Sequence, residues 1–340
     1  MTRDASSSSL PDAIHGAHPE DALALAAGRM ADGESPRDLA RELVSAALAL
    51  SGGELHGATW SHAVLATLAA VELDARGIDV RSALVGLAGF LAHARPSRIG
   101  DGRSASQDVP ALEAAALKAS GGWGHAVLVL GHAGRAQFLR QELLAAAARY
   151  LVPPEPGPER AADAVRLGSS DDAELVATSV IAAGEAPLEL TASREALAEG
   201  LALAAAELLR RAPDLRGIHH ITVLRECLLL SDAPRALGLA ARFIADGWER
   251  ARRDRRGKGA VSFVRKGDGV DAATIAELLE VEPRPGFGHN VKLVAAALAL
   301  QDVLPPSIHP ALGAAVRATV PTWSRSRRPW LALQAARRAL

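Results

Sequence analysis

The chain has 340 residues, 49% of them hydrophobic but only 3% aromatic, and a formal net charge of −1. That length can bury a large core, the near-zero charge excludes an overall basic field for nucleic acid or an anionic membrane, and the single cysteine, Cys227, excludes an internal disulfide framework or a cysteine-built zinc or iron–sulfur site. An apolar fraction made mostly of Ala and Leu suits closely packed helices better than sheets, which favour aromatic and β-branched side chains.

Residues 1–17 are polar and serine-rich, which predicts a disordered arm, and no signal-peptide type of apolar segment begins the chain. The rest, 18–340, reads as one all-α domain: a large helical bundle packed irregularly around a central pocket. A proline-rich break at 152–158 separates its two halves. Ser35-Pro36 is an N-cap followed by proline at the first helical position, and Gly52-Gly53 ends that apolar run. Asp108-Val109-Pro110 opens another helix. Later helices are predicted over 171–184, 193–212, 217–231, 233–252, 271–280 and 288–302, with Pro305-Pro306 as a stop. Sustained alternation of period two is absent. Charges interrupt every Ala/Leu run before it reaches spanning length, so a cytoplasmic protein with no membrane partner is expected. The arginine-rich stretch around residue 254 lacks interleaved aromatics and carries acidic residues. It reads as a solvated helix end rather than a nucleic-acid patch.

Histidine carries the chemistry. Four Ala/Val/Leu-rich runs, LHGATWSHAVLATLAAVEL, WGHAVLVLGHAGRA, GIHHITVLRECLLL and GFGHNVKLVAAALAL, hold His56 and His62, His125 and His132, His219 and His220, and His289. A buried imidazole must satisfy two ring nitrogens, by carbonyl partners taken locally or by a shared metal ion. His125 and His132 stand seven residues apart, two turns, so both project from one face about 10 Å apart. One of the two can serve a given ion, and the spacing does not decide which. Lysine is scarce: only Lys118, Lys258, Lys266 and Lys292 occur. Lys292 follows His289 by three residues on one helical face. A desolvated lysine can take up carbon dioxide and become a carbamate, an anionic oxygen ligand; the ordinary alternative is a stem that snorkels to solvent. HExxH, a Glu-x-x-His pair, a glycine-rich dinucleotide loop and GxSxG are all missing.

Taken in order, these segments resemble the questin oxidase-like family, large helical proteins with a His-Gly element, a paired-histidine segment, a His-Ala-Val-Thr element and a C-terminal His-x-x-Lys element. Leu55-His56-Gly57 matches the first; His125 and His132, with Gly131 and Arg135, match the second; His219-His220-Ile221-Thr222 matches the third; and His289-Asn290-Val291-Lys292 matches the fourth. The resemblance implies an oxidoreductase: a non-haem Fe(II) oxygenase that uses dioxygen, with NADPH possible, to open a ring of a polycyclic, anthraquinone-like aromatic substrate. It implies iron held by His56, His219, His289, one of His125 or His132, and carbamylated Lys292, with His125, His132, Thr222 and Arg225 as candidates for catalysis and substrate contact. Trp123 stands close enough to the second motif to join them. The competing expectation is a non-catalytic helical scaffold or apolar-ligand carrier whose histidines satisfy the core.

Overall fold

In a computed structural model the described residues are 9–16, 18–49, 59–93, 108–119, 124–150, 165–184, 186–230, 233–257, 259–280 and 288–325. The fold is all-α, and the described residues form two compact units.

The first unit contains α1 (Leu10–His15), α2 (Pro19–Ala31), α3 (Pro36–Ala49), α4 (Thr59–Asp74) and α5 (Arg81–His93), together with the first turn of α14 (His289–Val303). Helix starts follow the predicted chemistry. Ser35 Oγ accepts from the Asp38 backbone amide at 3.1 Å, and Ser9 with Asp12 forms a reciprocal capping box that opens α1. α1 therefore falls within the stretch expected to be an arm, and it buries Leu10 and Ile14 against α2, α3 and α5. Small residues set the approach of the larger helices. A Cβ at Gly89 would run into Leu23, so α5 lies directly on α2. Gly288 takes φ +56 and packs so closely on Ala66 that any side chain there would collide with α4.

The second unit contains α6 (Val109–Ala119), α7 (His125–Arg135), α8 (Arg140–Tyr150), α9 (Ala173–Ala183), α10 (Arg194–Arg211), α11 (Leu215–Cys227), α12 (Ala233–Arg253), α13 (Ala272–Leu279), the remainder of α14, and α15 (His309–Arg325). α10 is the axis of the core: its run Leu201–Leu209 is buried throughout, against α9, α11, α12 and α15. That buried run must neutralise its one charge, and Glu207 does so with Arg210 at 2.7 Å and Arg211 at 2.6 Å. α12 supplies two arginines that satisfy the last turn of α9, Arg242 donating to the carbonyls of Gly184 and Ala186 and Arg252 to that of Ile181.

The helices predicted after residue 170 form within one to four residues of their expected limits, since caps and prolines fix both ends. Three further elements were not expected. Val165–Leu167 (β1) and Leu190–Ala192 (β2) make a short parallel pair, too brief to show an alternating pattern in the sequence. α15 forms beyond Pro305-Pro306, with Pro321 inside it. The proline-rich break at 152–158 lies outside the described residues. No helix among the described residues is long and apolar enough to cross a membrane.

Candidate metal-binding histidine clusters

In the first unit, α4 and the start of α14 bring three nitrogen side chains together. The glycine contact between Gly288 and Ala66 seats the first turn of α14 on α4. His289 then lies 4.8 Å from His62 between ring centroids, tilted by 52°. One turn further, Lys292 Nζ lies 2.6 Å from His62 Nδ1. All three are buried, at 5% for His62, 3% for His289 and 6% for Lys292. A lysine that snorkelled would carry its head to solvent; this one ends on an imidazole inside the core.

In the second unit, α7 and α11 place His125 edge-on against His219, with ring centroids 5.5 Å apart and planes at 86°. Both rings are buried. The adjacent His220 points elsewhere, because neighbours on a helix diverge by about 100°. Its ring lies 5.0 Å from Phe243 and over Gly247 on α12, where a Cβ would collide with it. A cleft among α10, α11 and α12, lined in part by His220, Gly247, Arg250 and Arg256, therefore belongs to His220 and not to the His125–His219 pair.

His132 lies in a third setting, two turns along α7 from His125. Arg135 forks onto the Glu226 carboxylate at 2.5 and 2.8 Å, and its Nη2 donates to His132 Nδ1 at 3.1 Å. A guanidinium has no acceptor, so Nδ1 must accept and the ring proton sits on Nε2, 4.0 Å from Glu226 Oε1. Neither nitrogen of that ring presents a lone pair to an ion. Arg225 Nη1 adds a second cation 3.6 Å from the same carboxylate. Thr222 directs its hydroxyl to the carbonyls of Ile218 and His219, both at 3.3 Å, inside its own helix.

The chain matches no family model, no curated protein and no solved structure. What the site can do rests on its own residues.

Of the residues expected at a metal, His289 and Lys292 come together in the first unit and His125 and His219 in the second. His56 and Trp123 lie outside the described residues. His62, which the family pattern passed over in favour of His56, is the imidazole that His289 and Lys292 face. One signal for it was present: Ser-His-Ala-Val at residues 61–64 repeats the Gly-His-Ala-Val at 124–127.

Glu226 is a fully buried carboxyl beside these clusters. Burial pushes its carboxyl up, but the Arg135 and Arg225 guanidiniums outweigh this and hold its pKa below the ordinary 4.5. A carboxyl lowered in the folded state contributes stability that is complete above the unfolded value and is lost as pH falls through the folded one. Glu226→Gln is expected to unfold about 3 kcal/mol more easily than wild type at pH 7, because two cations lose their buried counter-ion. The gap should narrow steadily below pH 4.5 in denaturant titrations. A gap that stays constant down to pH 3 would show that the carboxylate charge adds no stability.

Proposed function

We propose that this protein is a non-haem metal oxygenase whose candidate ligands are His62, His289 and Lys292 in the first unit and His125 and His219 in the second, with His56 as a further donor from the family pattern. The observation that supports this is the burial of an amine against an imidazole, Lys292 Nζ on His62 Nδ1 in the first unit; each unit also holds a buried histidine pair. Three of these buried residues, His62, His125 and His219, each offer a ring nitrogen as a ligand atom. The donor set fits a first-row divalent ion. Imidazole suits iron, and a carbamate on Lys292 would add the anionic oxygen ligand that a set of neutral rings lacks. Bound there, Fe(II) would supply activation of dioxygen.

The chain's own residues supply the setting. Apolar faces of α4, α7, α11 and α14 exclude water around the donors. Only as a neutral amine can Lys292 Nζ accept from His62 Nδ1–H, which would leave Nε2 of that ring as the ligand atom and hold the ring in place, the usual role of a partner on the second nitrogen of a ligating imidazole. His125 takes the ligand role left open between it and His132, because His132 is committed to Arg135 and Glu226. Arg225, buried on α11 with Nη1 3.6 Å from Glu226 Oε1, is the candidate cation for an acidic or phenolic substrate. The substrate class proposed is a polycyclic aromatic of anthraquinone type, opened oxidatively, with NADPH as a possible reductant. Elemental analysis of untagged protein, followed by oxygen uptake on hydroxylated anthraquinones, tests the reading. Near-stoichiometric iron with substrate-dependent uptake supports it, and metal-free protein that consumes no oxygen after Fe(II) loading supports the scaffold alternative.

A further inference from the structure

We infer that Glu226 is a positioning residue: with Arg135 and His132 it fixes the register of α7 against α11 that sets the His125 ring edge on His219. The two helices run parallel with two matching contacts, His125 to His219 and His132 to Glu226, each pair separated by 94 positions in the chain. The contacts are seven residues apart on both helices, about 10.5 Å along the axis. The sequence repeats at the same interval, Gly124-His125 and Gly131-His132. Both glycines are required by α11. A Cβ at Gly124 would meet Val223 at 2.8 Å, and one at Gly131 would fall on the Glu226 carboxylate.

Such a device has a physical purpose here. Apart from the His125–His219 and His132–Glu226 contacts, the buried side chains of α7 and α11 are mostly aliphatic (Ala, Val and Leu on α7; Ile, Val and Leu on α11), and aliphatic contacts are non-directional and tolerate sliding. A buried carboxylate is satisfied in one geometry only, and a slip of one turn, about 5.4 Å, would strand it. The bidentate fork from Arg135 adds angular definition that a lone charge contact lacks. The role of His125 and His219 as ligands rests on the proposed function; the register itself does not.

The test compares Glu226→Gln with Glu207→Gln in the full chain. Glu207 is equally buried between two arginines, but on α10, so it reports the general cost of such a lesion. Two readouts are followed: the nuclear Overhauser contact between the His125 and His219 rings, and the affinity for Co(II) added as a probe. Glu226→Gln is expected to lose the ring contact and bind Co(II) at least about tenfold more weakly, while Glu207→Gln keeps both. Retention of both in Glu226→Gln, or equal losses in the two variants, overturns the inference. Wild-type protein that binds no Co(II) counts against the metal reading, and the ring contact then decides the register role alone. Should Glu226→Gln not fold, Arg135→Lys, which keeps the charge but cannot fork, is judged by the same two outcomes.

Discussion

Untagged protein loaded anaerobically with Fe(II) is expected to hold about one ion per chain, and His219→Ala and Lys292→Ala are each expected to lower that content. The two substitutions lie in different units of the chain, so each reports on its own cluster. His219→Ala removes one imidazole beside His125. Lys292→Ala removes the group on His62 Nδ1 and, if the amine is carbamylated, the anionic ligand as well. Small carboxylates separate these effects. Acetate or formate should restore part of the iron to Lys292→Ala if an anionic oxygen was lost, and none if the amine only oriented His62. Loss of a direct ligand or its partner commonly lowers metal affinity by about 10–100-fold or more, so micromolar loading reads the difference cleanly. Two variants that fold normally, from a wild type that never bound metal, would leave the histidines as core residues.

Trp248→Ala is expected to destabilise the second unit by about 3–5 kcal/mol, a large share of a typical domain's stability, without changing iron content. Trp248 on α12 is fully buried, its indole Nε1–H donates to the Ala204 carbonyl at 3.0 Å, and the Arg211 guanidinium lies 5.6 Å over its ring. Truncation leaves a cavity among Ala-rich helices that have few long side chains to fill it. Trp248→Phe should recover most of the loss, since it retains the ring volume and gives up one hydrogen bond of about 1 kcal/mol. Denaturant midpoints of the three proteins measure this. An alanine variant within 1 kcal/mol of wild type would mean that α10 and α12 close over the gap.

The same Ala-rich composition that makes this core sensitive also made its helices legible. Ser35-Pro36, Asp172, Ser193 and Asp271 are local signals, each acting on amides two or three residues away, so the starts of α3, α9, α10 and α13 could be read without tertiary contacts. β1 and β2 escaped because three residues carry no period, and their pairing joins Val165 to Leu190 across an intervening helix. Cys227 is a smaller case. The sequence set its number, but only burial in α11 pushes its thiol far above the ordinary range and makes it inert.

What the sequence determined by itself was the all-α class, the limits of the helices between residues 171 and 303 to within four residues, and the unusual supply of histidine and scarcity of lysine on apolar faces, because capping and periodicity are properties of neighbouring residues. Which imidazoles meet was decided only by the tertiary structure. His125 and His132 share a face of α7 and a preceding glycine, and along α7 only Arg135, three residues after His132, tells them apart. The rest of the distinction comes from α11, which brings His219 to one and the Glu226 carboxylate to the other. His62 was likewise chosen by the contact of Gly288 with Ala66, 222 positions apart in the chain. Partners that distant are set by helix packing, and side-chain packing is where this chain turns similar local words into different chemistry.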